Sequence, residues 1–378
     1  MPIRPNGSLP VRAVVVTAAL ALLAGALAPP AGARVRKKDK ELEVAFTSAG
    51  CPRSVSTKAG PTTFVVTNDG ADNVSEFEIL KDDRILGEVE NVVPGLTREF
   101  TLTLKEGTYV TYCPGGDDRE RGRLVVKGAT RTAPDPQAEA AVAQYRAYIT
   151  DQATQLVALT TGFVDAVKSG DVGAAKAAYA AARVPYERIE PVAETFGDLD
   201  PDIDAREGDV PDNEWGGYHR IEKALWIDGS TSGMATVADD LLADVQRLQS
   251  LLPDVELEPA TIANGAVELL NEVSASKITG EEERYSRTDL VDFEANVQGA
   301  QAAYDAVKPI LLARKAALVD RIDPAFAAVE AALAPYRRDG GFVPYTDLTA
   351  ADTRALSLAI DTLAEPLSQV ARVVAGRS

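Results

Sequence analysis

The only histidine in 378 residues, His219, stands in the run GGYHRIEK (residues 216 to 223), three positions before Glu222. Residues three apart on a helix share a face, so if this run is helical its imidazole and carboxylate point the same way, which is a metal-ligand spacing. Upstream, YERIEPVAE sets Glu187 and Glu190 at the same spacing, and GDLDPDIDAREGD adds Asp198, Asp200, Asp202 and Asp204 in the connection after that helix. Facing Glu-x-x-Glu and His-x-x-Glu helices follow the logic of the carboxylate-rich iron sites of helical bundles. An acidic chain holds many such pairs on solvated faces, so neither pair is decisive alone. The excess of carboxylate over imidazole selects hard ions such as Mg, Ca, Mn and ferric iron, and the single imidazole leaves room for ferrous iron or zinc.

Counting ligands also excludes chemistries. The metalloprotease motif H-E-x-x-H and the two-histidine facial triad each need two histidines, and no G-x-S-x-G run is present to serve a serine hydrolase. The two cysteines, Cys51 and Cys113, lie in a region without histidine, which rules out a blue-copper centre. Two alternatives remain there: a Cys51–Cys113 disulfide, or a thiolate site with Glu76 suited to a soft ion such as cuprous copper.

These residues need elements to hold them. Residues 41 to 127 carry short alternating runs, TTFVVTNDG, SEFEIL, REFTLTLKEGTYVTYC and GRLVVKG, punctuated by Gly, Asn and Asp, which predict a small β-sandwich. TRTAPDPQ (130 to 137) breaks the composition. Beyond it, Val142, Tyr145, Ile149, Leu156, Leu159, Phe163 and Val167 fall on one helical face, and alanine-rich helical segments are expected near 138 to 168, 171 to 196, 232 to 251, 258 to 276, 288 to 319, 323 to 336 and 350 to 374. Together they predict a bundle of long antiparallel helices.

The chain opens with Arg4 and Arg12, the apolar run VVVTAALALLAGALA and AGA at 31 to 33, the pattern of a secretory signal peptide cut near Ala33. The formal charge of −18 includes those two arginines. So acidic a surface disfavours nucleic acid or an anionic membrane as main partner and suits a carrier of cations. An exported chain allows the disulfide.

The runs GGYHRIEKALW, YERIEPVAETFGDLDPDIDAREGD and KITGEEERYSRTDLVDFEANVQGAQ, with Cys51, SEFEILKD, VVPG and Cys113 ahead of them, resemble the EfeO-type family of exported iron-uptake components, whose helical part is the imelysin (peptidase M75) domain. The resemblance covers the whole chain after the signal peptide. It implies a multidomain fold: signal peptide 1–33, cupredoxin-like β-sandwich 34–128, linker 129–137, and an all-α imelysin-like domain 138–378 of two four-helix bundles. It implies that His219 and Glu222 bind iron, ferrous or ferric, with Glu187, Glu190 and Asp204, and that Cys51, Glu76 and Cys113 hold a second metal, copper or iron. The partners implied are a membrane iron permease and a haem-peroxidase of an EfeUOB-type system, in the periplasm or cell envelope. Despite the peptidase name, the H-x-x-E pair lacks a second histidine, so metal binding is carried over and proteolysis stands as the alternative. Arg287 and Val291 stand where the family has histidine and tryptophan, so no accessory role is carried over to that loop.

Overall fold

Alternating burial along Gly60–Asn68 places Phe64 and Val66 in a core that Phe77 and Phe100 complete, with the Phe64 and Phe100 rings stacked 4.8 Å apart. This computed structural model describes residues 41–129, 135–197, 199–275 and 277–376. The expected signal peptide, most of the expected linker and Asp198 lie outside the described residues. In one sheet, β1 (Glu41–Phe46) runs parallel to β3 (Gly60–Asn68), which pairs antiparallel with β6 (Thr97–Leu104). The second sheet has the order β2 (Ser54–Lys58), β8 (Arg121–Lys127), β7 (Gly107–Tyr112), β4 (Phe77–Lys81), β5 (Arg84–Val89). The expected β-sandwich is therefore present, with β1, β2 and β5 added to the strands the alternation had marked.

The helices begin where the chemistry of a helix start is strongest. Asp135 accepts from the backbone N–H groups of Gln137 and Ala138, and Pro136 opens α1 (Pro136–Ser169), which ends on Gly170 at φ 81°. Such a cap is worth about 1 kcal/mol. Tyr145, Ile149, Leu156, Phe163 and Val167 are buried along α1 as the periodicity predicts, whereas Leu159 faces solvent. The chain continues through α2 (Val172–Glu187), α3 (Glu190–Glu194), α4 (Leu199–Asp204), α5 (Gly217–Lys223), α6 (Ala235–Leu251), α7 (Pro259–Ala275), α8 (Asp289–Leu333), α9 (Ala350–Leu367) and α10 (Val370–Val374).

Helix α1 packs against α2, α6 and α8, and α8 also packs against α7, α9 and α10. Two four-helix groups thus meet along the 45-residue span of α8, which holds the two helices expected over 288 to 319 and 323 to 336. They are divided not near residue 320 but at Lys315, a kink with non-helical φ −157° and ψ 65°. No helix among the described residues is long and apolar enough to cross a membrane.

The sandwich and the helices belong to one compact unit. Asn264 of α7 donates to Thr101 O (3.0 Å), Arg98 reaches Asn271 (3.0 Å), and the Ile85 amide donates to Thr195 O (3.2 Å). Glu41 of β1 meets Arg372 of α10 at 2.8 Å.

Candidate metal centre

The GGYHRIEK run is helical, and its second glycine explains where the helix sits. Gly217 has φ 68°, and a Cβ there would lie 2.2 Å from Ile203 O. Only glycine tolerates that backbone and that approach. The N-terminus of α5 therefore closes onto the C-terminal end of α4, and His219 meets Asp204. Past Lys223 the helix widens into a π-helical turn, Ala224–Asp228, a feature frequent at functional sites.

His219 is 1% exposed. Its Nδ1 lies 3.2 Å from Glu222 Oε2, while Nε2 has no hydrogen-bond partner and faces Asp204 Oδ1 at 3.6 Å and Glu282 Oε1 at 3.7 Å. Two buried groups of ligand atoms result: Asp204, His219 and Glu282 on one side of the ring, His219, Glu222 and Glu283 on the other. Glu222 is fixed by the amides of Tyr285 (3.0 Å) and Ser286 (2.7 Å), which bond its Oε1. Tyr179 OH donates to Glu283 at 3.2 Å and sits 3.5 Å from His219 Nδ1.

Two buried cations hold the surrounding carboxylates. Arg183 of α2, 0% exposed, bonds Asp204 and Glu187, and its Nε lies 2.7 Å from Glu283 and 3.6 Å from Asp292. Lys277, also 0% exposed, lies 3.2 Å from Glu187, 3.4 Å from Glu190 and 3.8 Å from Glu282. Asn296 of α8 donates to both Glu187 and Glu190 at 3.2 Å. Burial works against each cation, but the carboxylates prevail and raise both pKa values well above normal. Burial and Arg183 push the His219 imidazole toward its neutral form. Asp204, Glu222 and Glu282 outweigh them and raise its pKa to about 10.

Of the residues expected from sequence, His219, Glu222 and Asp204 converge. Glu187 and Glu190 are brought beside them but engage Arg183, Lys277 and Asn296 rather than the imidazole. Sequence reasoning missed Glu282, Glu283, Tyr179, Arg183, Lys277 and Asp292. The triplet Glu281 to Glu283 follows Lys277 closely in KITGEEERYSRTDL, and that juxtaposition of charges was the one available signal.

In the sandwich, the thiolate alternative does not hold. Cys51 and Cys113 are joined in a disulfide and both are buried, so neither offers a thiolate to copper or iron. Glu76 stands instead at a cleft facing the helices, with Glu90 beside it. The Arg287 loop takes a structural role: Arg287, at φ 63°, donates to Gly280 O and its carbonyl accepts from the Tyr345 amide.

The donor set fits a hard cation, since buried carboxylate oxygens with one imidazole match what ferrous or ferric iron accepts. The imelysin family, Peptidase M75, matches residues 141–370. A protein of Escherichia coli whose name is "Iron uptake system component EfeO" is 42% identical over 345 residues, which cover 88% of this chain and 91% of that protein. Proteins of the same name from Shigella flexneri and Shigella sonnei match with the same identity and coverage. A solved structure, Na-dithionite reduced auracyanin from Roseiflexus castenholzii, aligns with 24% of this chain and 98% of its own at 18% identity and a TM-score of 0.21. With that identity over nearly the whole chain, and a helical part matched by imelysin, the chain belongs to the EfeO family of iron uptake system components.

Proposed function

We propose that this protein is the exported iron-capturing component of an EfeUOB-type uptake system. It binds iron outside the cytoplasmic membrane at Asp204, His219 and Glu282, with Glu222 and Glu283 behind the ring, and delivers it to a membrane iron permease alongside a haem-peroxidase partner. The observation that carries the reading is His219 Nε2, an imidazole nitrogen buried without a partner between two carboxylates. A buried polar atom left unbonded costs on the order of 1–3 kcal/mol, and a cation at that point would satisfy it. Glu187 and Glu190 position the site by holding Arg183 and Lys277. Iron is the cargo here, so no step of bond cleavage is required.

The other reading is a metal-dependent peptidase with Glu222 as general base, which the family's name Peptidase M75 brings into view. Against it, Glu222 already accepts two backbone amides and faces His219, which leaves it poorly placed to take a proton from a metal-bound water.

The test is a titration of the protein with iron, copper, zinc and calcium, followed by elemental analysis, beside a His219→Ala/Glu222→Ala variant. Saturable iron binding lost in the variant supports the assignment; iron binding that survives in it removes His219 and Glu222 from the site. Peptide cleavage by metal-loaded protein, abolished by chelator and by Glu222→Gln, would instead establish the peptidase.

A further inference from the structure

The cleft between the sandwich and the helices leads to the same place. It encloses about 570 Å³ and is lined by ten carboxylates against two guanidiniums, those of Arg206 and Arg284. Both guanidiniums are occupied: Arg206 with Asp209 and Glu282, each at 3.0 Å, and Arg284 with Glu207 O at 2.7 Å. Glu76 and Glu90 flank the cleft from the sandwich, and Glu194 and Asp200 from α3 and α4. Its inner wall is formed by Asp204 and Glu282, and the unpartnered Nε2 of His219, on a side chain 99% buried, is directed at these two carboxylates.

We propose that this cleft is the vestibule of the His219 site, where carboxylates of both domains, Glu76 and Glu90 with Glu194 and Asp200, hold a hydrated di- or trivalent cation before it passes to Asp204 and Glu282. The inference rests on the reading of His219 as the centre of a cation site, and it assigns the sandwich a task that needs no metal on its cysteines. A cleft lined by one sign of charge with low-dielectric walls focuses field lines and raises cation on-rates by roughly 10- to 1000-fold. Hard cations keep some of their waters while exchanging others for carboxylate oxygens, so a wide outer station and a tight inner one are compatible with one ion. The ten carboxylates of one cleft face only two guanidiniums, both already engaged, so like charges crowd one another there. A cation among them relieves that repulsion.

The two tryptophans report on the site: Trp226 has its ring 5.4 Å from Tyr179, and Trp215 Nε1 donates to Ala205 O beside Asp204. Stopped-flow quenching of their fluorescence by ferrous iron alone, under anaerobic conditions, measures association. Glu76→Gln/Glu90→Gln is expected to slow association at least about tenfold and to flatten its dependence on ionic strength. Each single substitution should give an intermediate rate. The exposed pair Asp320→Asn/Asp361→Asn, which lies outside the cleft and removes the same number of carboxyls, should associate like the unaltered protein. Unchanged rate and salt dependence in Glu76→Gln/Glu90→Gln overturn the vestibule while leaving the His219 site standing. No iron retained by the unaltered protein would remove both.

Discussion

His219 Nε2 faces Asp204 Oδ1 at 3.6 Å with no hydrogen bond between them, although both side chains are buried. The two atoms lie at ion-pair distance, and both belong to a buried group of ligand-type atoms that could hold a metal ion. Glu282, 3.7 Å from the same nitrogen, completes the arrangement.

If these three are ligands, Asp204→Asn and Glu282→Gln should each weaken iron binding by more than the roughly 10- to 100-fold that loss of an outer partner costs. Glu190→Gln, which acts through Lys277 and Asn296, should stay within that range. Equilibrium titration of the three variants separates the classes, and equal losses in all three would contradict the assignment.

A metal ion bound at His219 would have to compete with a proton. With its pKa raised to about 10, His219 is an imidazolium at neutral pH in the metal-free protein, and a metal ligand must be the neutral ring. Affinity should therefore rise with pH, by up to about tenfold per unit, and binding at pH 7 should release at least one proton. Calorimetry in two buffers of different ionisation enthalpy counts that proton. Heats independent of the buffer would mean that the imidazole does not receive the ion.

The metal-free protein should lose stability as pH rises through neutrality. Burial, reinforced by neighbouring carboxylates, raises Asp200 to about 7 and Glu78, Glu268 and Glu283 to about 8. A carboxyl whose folded pKa is raised binds more protons folded than unfolded, so its contribution is complete below the unfolded value near 4 and fades through the folded one. His219, also raised, contributes in the same direction from about pH 6.5 upward. Glu222 and Glu282 are held low and matter only below that window. Thermal melts of chelator-treated protein should give a higher Tm at pH 5 than at pH 8, with iron narrowing the difference. A Tm that rises over this interval would contradict the burial of these carboxyls in their neutral form.

How far the sequence carried the site depends on which signals are local. The i, i+3 spacing of His219 and Glu222 lies within one turn of helix and could be read directly. Asp204 was reached through the resemblance, and the contact that brings it in is visible only as the glycine at 217. Arg183 was illegible because a basic residue on an alanine-rich helix looks like part of a solvated face, and Lys277 because a lysine in a short turn ahead of glutamates looks like solvated surface. Their burial follows from the approach of α2, α5 and the segment after α7, which no periodicity encodes. The sandwich strands with clean alternation were legible, whereas β2, with the exposed pattern of an edge, and β5, bulged against β4 and interrupted by Gly87, were not.

Arg183 supplies the next expectation. Removing one partner from a buried ion network leaves uncompensated charge and costs about 3–5 kcal/mol. Arg183→Met should therefore destabilise the metal-free protein by about that amount near pH 7, and by less near pH 5, where the carboxyls around it take up protons instead. Urea unfolding at both pH values measures the pair of differences. An equal loss at the two pH values would point to packing rather than charge as the main contribution of this side chain.

The disulfide separates the two halves of the molecule in an experiment. Cys51 and Cys113 are 62 residues apart, and in the chain-entropy view closing a loop of that size stabilises a fold by about 4 kcal/mol. Cys51→Ser/Cys113→Ser should thus lower the stability of the sandwich markedly. The iron bound per chain should remain as in the unaltered protein, because no ligand of the His219 site lies in the sandwich. If instead the variant loses iron in proportion to the cysteines removed, while the helices keep their circular dichroism, the metal resides in the sandwich and the His219 cluster is an ion-pair network that serves stability alone.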